Sequence, residues 1–139
     1  MSTTARTSVT ITVPGSPDRI LAPNRRAHGR AKAEATAQHR HDARYAALDQ
    51  LAATVPYDPL FAGPVSVLAL VRWAKGERSK DLDSCAVCVK PYIDGLVDAR
   101  LMSNDSQMKI LTVQQERDGT GRGEVVLTVT TIEREELTA

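Results

Sequence analysis

The sequence contains no uninterrupted apolar run long enough to span a membrane, and its longest apolar stretches, such as Val65–Val71, have the length of a strand. The N-terminal residues include no apolar core of the kind that secretory signals require. The only two cysteines, Cys85 and Cys88, lie too close together to cross-link distant parts of a fold. These absences favour a cytoplasmic protein whose cysteines are reduced.

The composition is that of an ordinary globular domain. The chain has 139 residues, of which 42% are hydrophobic and 25% are charged. A chain of this length buries a sizeable core without help from disulfides or metals. We therefore expect one domain over residues 1–139, with residues 1–7 and 133–139 as flexible tails.

The basic residues are concentrated in one segment. The net charge is +1, yet Arg19–Arg44 contains seven basic and two acidic residues, a net +5 that leaves −4 for the rest of the chain. Such segregation is typical of a protein that contacts phosphates, although arginines on a helix surface also occur in proteins that bind no nucleic acid. The side chains expected to contact phosphates are Asn24, Arg25, Arg26, His28, Arg30, Lys32 and Lys80.

Hydrophobic periodicity predicts four strands and two helices. The predicted strands are Ser8–Val13, Val65–Trp73, Met108–Gln115 and Glu124–Ile132. The predicted helices are Ala31–Ala53 and a second one that begins near Asp83 or Ser84 and ends at about Ala99. The order β-α-β-α-β-β indicates a single α/β (α+β) domain with a mixed four-stranded sheet and two helices.

Three further expectations concern the helices and the last connection. The glycine-rich stretch Arg117–Gly123 predicts a hairpin between the last two strands. Pro91 predicts a kink in the second helix, or a loose first turn before a regular helix from Lys90. The predicted inward faces are Tyr45, Leu48, Leu51, Ala52 and Val55 on the first helix, and Ile93, Leu96, Val97 and Leu101 on the second. Because these apolar residues of the first helix lie in its second half, its first half is expected to be exposed and to contact a polyanion.

Three aspartates form a candidate metal site. Asp81 and Asp83 are two residues apart, so in an extended backbone their side chains point the same way, about 7 Å apart. Asp105 follows on the far side of the second helix. Carboxylates of this kind hold the hard divalent ions that assist phosphodiester cleavage. The alternative is that Asp-x-Asp is only a solvated loop with local hydrogen bonds.

Lys90 has two interpretations. Its ammonium group can lie beside a scissile phosphate and counter the charge that grows in the transition state. It can equally form a surface ion pair with Asp94 one helical turn later.

Cys85 and Cys88 form a Cys-x-x-Cys pattern, which raises the question of a redox or zinc site. A zinc site needs two more ligands, and the histidines His28, His39 and His41 stand at no standard spacing from the cysteines. We therefore expect both cysteines to act as small apolar residues near the core. His39 and His41 are expected on different sides of the first helix, facing solvent or DNA.

The stretch from Lys80 to Asp105 resembles the motif of the RusA-like Holliday-junction resolvases, especially those carried by phages and prophages. The matching residues are Lys80-Asp81-Leu82-Asp83-Ser84, Lys90, Asp94-Gly95-Leu96-Val97-Asp98-Ala99 and Asn104-Asp105, with Pro23-Asn24-Arg25-Arg26 earlier in the chain. The resemblance covers Val9–Thr131 and fits the predicted order of strands and helices.

The resemblance implies a Mg²⁺-dependent endodeoxyribonuclease, with Mn²⁺ as a substitute ion, that acts as a homodimer on four-way DNA junctions. It implies that Asp81, Asp83 and Asp105 hold the metal and that Lys90 assists catalysis. The chain departs from the family at two positions: Ser84 replaces the usual Asn, and Asn104 replaces one member of an acidic pair.

Three alternatives remain open at this point. The chain can be a less selective nuclease of flaps and forks, since the same metal chemistry serves both. It can be a junction-binding module that has lost catalysis through the changes at Ser84 and Asn104. It can also be an interaction protein whose Asp-rich loop is only solvated.

Overall fold

Four strands and two helices follow one another in the predicted order. The computed structural model describes residues 7–18, 21, 29–51, 59–76, 82–117 and 121–133. The strands are β1 (Ser8–Pro14), β2 (Val65–Trp73), β3 (Met108–Arg117) and β4 (Glu124–Thr131). The helices are α1 (Gly29–Gln50) and α2 (Leu82–Asp98), and a 3-10 turn, Asp105–Gln107, precedes β3. The predicted α+β fold with a mixed four-stranded sheet and two helices is thus confirmed.

The strand order in the sheet is β1-β4-β2-β3. β4 pairs antiparallel with β1 and with β2, whereas β2 and β3 are parallel because α2 connects them as a crossover. The predicted hairpin between β3 and β4 is therefore wrong, since β2 lies between these strands.

The glycine-rich stretch before β4 has a different structural role from a hairpin loop. A Cβ at Gly123, where φ is +74°, would lie 2.5 Å from the Arg72 carbonyl oxygen, so glycine lets the chain pass close to the end of β2.

The core lies between one face of the sheet and the two helices. Alternate side chains of β2 and β4, together with Ile11 and Val13 of β1, are buried, as the period of two residues in a strand requires, whereas no side chain of the edge strand β3 is fully buried. The largest contributors from the sheet are Ile11, Val13, Val65, Val67, Trp73 and Leu127. They form one cluster with buried residues of both helices, including Ala43, Ala47, Tyr92, Ile93 and Leu96. In the described part of the chain, neither helix is long and apolar enough to cross a membrane.

Helix α1 contacts the core through small side chains. Ala43 and Ala47 are fully buried, and Leu48 and Leu51 are partly buried against the core, as predicted for the second half of the helix. Tyr45 is 54% exposed, so its predicted place in the apolar stripe is wrong. It lies two residues from each buried alanine, which turns it to the opposite side of the helix, where its ring packs on His41. The predicted members Ala52 and Val55 fall outside the described residues.

Helix α2 is continuous through Pro91. It begins at Leu82, before either predicted start, and Pro91 lies inside it, so the expected loose first turn is wrong. A proline inside a helix costs about 3 kcal/mol, because it removes one hydrogen bond and its ring clashes with the carbonyl four residues earlier. Its neighbours Tyr92 and Ile93 are buried, and each such side chain stabilises by roughly 1.5–3 kcal/mol. Packing therefore outweighs the cost of the proline.

The predicted inward face of α2 is largely confirmed. Ile93, Leu96 and Leu101 are fully buried, and Val97 is partly buried against the core. Cys85 and Cys88 are completely buried on the same helix. The prediction that the cysteines serve as small core residues is confirmed.

The two helices approach each other closely at Gly95. A Cβ on Gly95 would lie 2.7 Å from the Ala43 Cβ and even closer to the Arg40 carbonyl oxygen. Beside this contact, the Arg40 guanidinium donates two hydrogen bonds, of 2.5 and 2.8 Å, to the Asp98 carboxylate. The bonds from Arg40 lower the pKa of Asp98 below its usual range. Arg40 is therefore engaged in an ion pair with α2, and this makes it less available to a polyanion.

We predict that Gly95→Ala lowers the free energy of unfolding by about 1–3 kcal/mol, because the added methyl group meets the backbone of α1, which cannot rotate away. Chemical denaturation measures the change. The matched control is Gly29→Ala at the first residue of α1, where a Cβ meets nothing within 4 Å. Equal stability of both variants would contradict the close packing of the helices.

Candidate active site

Asp83 lies in the first turn of α2. The predicted extended arrangement of Asp81 and Asp83 is therefore wrong for Asp83, because Leu82 and Asp83 are both helical and successive helical side chains point in different directions. Asp81 itself falls outside the described residues. The Asp83 side chain is exposed.

One side of α2 faces away from the core and bears the candidate residues. Asp83, Val87, Lys90 and Asp94 share this side, because steps of three and four residues return to the same face of a helix. The helix rises by about 10 Å between Asp83 and Lys90. Ser84, by contrast, is buried at 9% exposure. Its hydroxyl therefore belongs to the core side of α2 and not to this exposed face.

Lys90 joins the exposed face of α2 to the turn that precedes β3. Its Nζ donates a 2.8 Å hydrogen bond to Oδ1 of Asp94, one turn later on the same helix. The same ammonium donates a second hydrogen bond to Oδ2 of Asp105. The ion pair with Asp94 is thus confirmed, while the role of Lys90 beside a phosphate stays a prediction. Asp105 therefore contacts Lys90 as well. The spacing of these two residues in the sequence does not by itself predict this contact.

The charges in this cluster stabilise one another. Partial burial acts to lower the pKa of Lys90, but its hydrogen bonds to Asp105 and Asp94 outweigh that effect and raise the pKa. The hydrogen bond from Lys90 lowers the pKa of the Asp105 carboxyl below its usual range. Lys90 is therefore a cation and Asp105 an anion at every pH near neutrality.

The turn that presents Asp105 is held by side chains on both sides of it. Asn104 accepts a 2.8 Å hydrogen bond from the Ser106 backbone N–H and another from the Ser106 hydroxyl. This is the capping geometry in which Asn is favoured. Asn104, which the family resemblance marks only as a lost carboxylate, thus has a structural task as the N-cap of the 3-10 turn. An Asn directly before Asp105-Ser106-Gln107 is the sequence signal that indicates it.

Asp83 and Asp105 offer the donor chemistry that a hard divalent cation requires. Both carboxylates are exposed, and charged oxygens are the ligands that Mg²⁺ prefers. Across the ranges that the structure describes, however, no three potential ligands lie close enough together to hold an ion. The third carboxylate of the predicted set, Asp81, lies outside those ranges. The described donors fit Mg²⁺, and the complete set of ligands stays a prediction.

Most of the predicted phosphate-contacting residues lie outside the described residues: Asn24, Arg25, Arg26, His28 and Lys80. Arg30 and Lys32, at the start of α1, are described. The Arg30 side chain is almost fully exposed and lies 3.4 Å from the Glu34 carboxylate. A surface pair of this kind contributes about 0–1 kcal/mol, so it leaves Arg30 available to a stronger anion.

His39 does not face solvent or DNA, in contrast to the prediction. Its Nε2 accepts a 3.0 Å hydrogen bond from the Asp18 backbone N–H, and its Nδ1 lies 3.0 Å from the Tyr92 hydroxyl. Burial lowers the pKa of His39, although Asp42 and Asp18 oppose this effect. His41 lies on another side of α1, against Tyr45, so the two histidines do point in different directions, as predicted.

Comparison with known proteins finds no protein-family model and no curated protein that matches the chain. The resemblance to RusA-like resolvases therefore rests on the motif residues of the sequence itself. In the structure, two of these motif residues, Lys90 and Asp105, are in direct contact.

We predict that Lys90→Met raises the pKa of the Asp105 carboxyl toward its usual value of about 3.9, because the ammonium that favours the charged form is gone. The Lys90–Asp105 pair stabilises the fold above the pKa of Asp105 in the unfolded chain, and this contribution is lost as the pH falls through the lower pKa of the folded state. Carbon-13 NMR titration of the Asp105 carboxyl measures the shift. Lys109→Met is the control, and a low pKa of Asp105 in both variants would refute the contact.

Proposed function

We propose that this chain is a Mg²⁺-dependent, structure-specific endodeoxyribonuclease that resolves four-way DNA junctions by paired nicks. The observation that carries the proposal is the contact of the Lys90 ammonium with both Asp94 and Asp105 on the exposed surface of α2. It supports the motif resemblance, because it brings a cation and a carboxylate from distant positions to one solvent-accessible place.

Asp81, Asp83 and Asp105 are the residues that would hold the ion, with Mn²⁺ as a substitute for Mg²⁺. When bound, the ion supplies an activated water and neutralises charge on the phosphoryl oxygens. As an exposed carboxylate, Asp105 is ionised at neutral pH, and its contact with Lys90 lowers its pKa further, so no proton has to leave before it can bind a cation.

Lys90 and Asp94 have distinct tasks in this proposal. If a divalent cation were bound at Asp105, this carboxylate would be a weaker partner for an ammonium group, because the two cations would repel each other. Asp94 would still keep the Lys90 ammonium at the site through its own 2.8 Å hydrogen bond. The ammonium is thereby directed at a phosphate oxygen, where it counters the negative charge that develops during cleavage. Asp94 is a positioning residue and Lys90 a catalytic one.

The substrate is proposed from charge and symmetry. The net +5 of Arg19–Arg44 provides the cations that neutralise DNA phosphates. Paired nicks on opposed strands of a symmetric junction require two active sites, so the proposal includes a homodimer. Each protomer contributes one carboxylate–lysine cluster, formed by Lys90, Asp94 and Asp105.

A second candidate is a junction-binding module with weakened or lost catalysis. It is favoured by Asn104, whose amide replaces a carboxylate and serves as a cap of the turn. A less selective nuclease for flaps and forks uses the same residues and differs only in substrate range.

The test is cleavage of a synthetic four-way junction with Mg²⁺ by the wild type and by Asp83→Asn. We predict paired nicks by the wild type and a loss of at least about 10²-fold in rate for the variant, because the amide removes a charged metal ligand. Asp49→Asn, at an exposed carboxylate on α1, is the matched control and is expected to cleave normally.

Full cleavage by Asp83→Asn would show that the site assignment is wrong. Tight junction binding without product in Mg²⁺ or Mn²⁺ would identify the binding module. A fork and a linear duplex tested beside the junction separate the resolvase from the less selective nuclease.

A further inference from the structure

The side chain of Gln107 connects three backbone groups around the turn that presents Asp105. Its Oε1 accepts a 2.6 Å hydrogen bond from the Ser103 backbone N–H. Its Nε2 donates hydrogen bonds of 2.9 and 2.8 Å to the carbonyl oxygens of Phe61 and Gly63. The carboxamide thus uses both its acceptor and its donor side on the main chain.

These three bonds fix the turn from two directions. The bond to Ser103 closes the turn on itself, four residues before Gln107, so that Asp105 lies in the middle of the closed loop. The bonds to Phe61 and Gly63 tie the same turn to the segment that leads into β2. The Phe61 backbone N–H also donates a 2.7 Å hydrogen bond to the Leu101 carbonyl oxygen, and the Phe61 side chain is buried in the core. The turn is therefore attached to a rigid part of the molecule.

We propose that Gln107 is a positioning residue that holds the Asp105 turn at the distance from α2 at which Asp105 contacts Lys90. Among the described residues, the hydrogen bond from Lys90 is the only one that joins the Asp105 side chain to α2. Lys90 is a long and half-exposed side chain, which by itself does not define where its partner lies. The rigid element in this contact is the turn, and Gln107 is the side chain that anchors it.

This inference rests on the proposed function only where it concerns catalysis. Its structural part concerns the position of Asp105 relative to Lys90, which crystal structures of variants measure directly as the distance between the Lys90 ammonium and the Asp105 carboxylate. A movement of the turn away from α2 lengthens this distance whether or not the protein cleaves DNA. The two parts of the inference can therefore fail separately.

Two substitutions separate the bonds. Gln107→Met keeps the length of the side chain and removes all three hydrogen bonds. Gln107→Glu keeps the acceptor for Ser103 but places a carboxylate against the carbonyl oxygens of Phe61 and Gly63, where donors are required. The matched control is Gln114→Met, the same change at an exposed glutamine of β3.

We expect the distance between the Lys90 ammonium and the Asp105 carboxylate to exceed hydrogen-bonding range, about 3.5 Å, in crystal structures of both Gln107 variants and to stay within that range in the control. If the protein is the proposed nuclease, kcat on the four-way junction falls about 10²-fold, the effect of a small displacement of a catalytic group. KM is expected to change little, because Gln107 is not among the basic residues that bind phosphates. Thermal unfolding of each variant, followed at the same pH, shows whether the fold is retained.

A folded Gln107→Met variant in which Lys90 still contacts Asp105 would overturn the proposal. So would general loss of the fold in both variants, since Gln107 would then be an ordinary structural residue. A wild type without nuclease activity would refute the proposed function alone, because the structures of the variants still decide the task of Gln107.

Discussion

The burial of one face of α2 against the sheet determines where the candidate site lies. Tyr92, Ile93 and Leu96 are fully buried in the common core. At roughly 1.5–3 kcal/mol for each such side chain, their packing fixes the rotation of the helix about its axis. The opposite face, with Asp83 and Lys90, must then point outward. The close contact at Gly95 fixes α1 against the same helix, so that the core and the site share one rigid element.

The carboxylate–lysine cluster itself adds little to the stability of this framework. Lys90 and Asp105 are each about half exposed, and exposed ion pairs contribute about 0–1 kcal/mol. The cluster can therefore exchange partners when a cation or a phosphate arrives, without unfolding the turn. What holds the turn is the network of neutral hydrogen bonds around Asn104 and Gln107. The position of the turn is thus fixed by Asn104 and Gln107, whereas the charges of the site are those of Lys90 and Asp105. Our proposal requires this separation, because Lys90 and Asp105 must be able to change partners while the turn stays in place.

The sequence predicts the elements well and their mutual arrangement less well, for physical reasons. Strands and the inward face of α2 follow from periodicity, which is a local property. The order of the strands in the sheet, by contrast, depends on contacts between distant parts of the chain. The glycines around Gly123 favour a hairpin, yet in the structure Gly123 allows the chain to pass close to the end of β2. Apolar spacing alone places Tyr45 inside, whereas α1 docks through Ala43 and Ala47, which turns Tyr45 to the opposite side of the helix. The bonds from Gln107 to Phe61 and Gly63 have no local signal in the sequence, because these two residues precede it by 46 and 44 positions.

The central claim is that Asp105 acts at the reaction centre while Asp94 only positions Lys90. The most direct measurement compares the single-turnover rates of junction cleavage by Asp105→Asn and Asp94→Asn under saturating Mg²⁺. Both substitutions remove one carboxylate partner of Lys90, so they differ only in the proposed metal ligand. We predict that Asp105→Asn abolishes cleavage and that Asp94→Asn retains a measurable rate with a modest loss. Equal rates in the two variants would contradict the account.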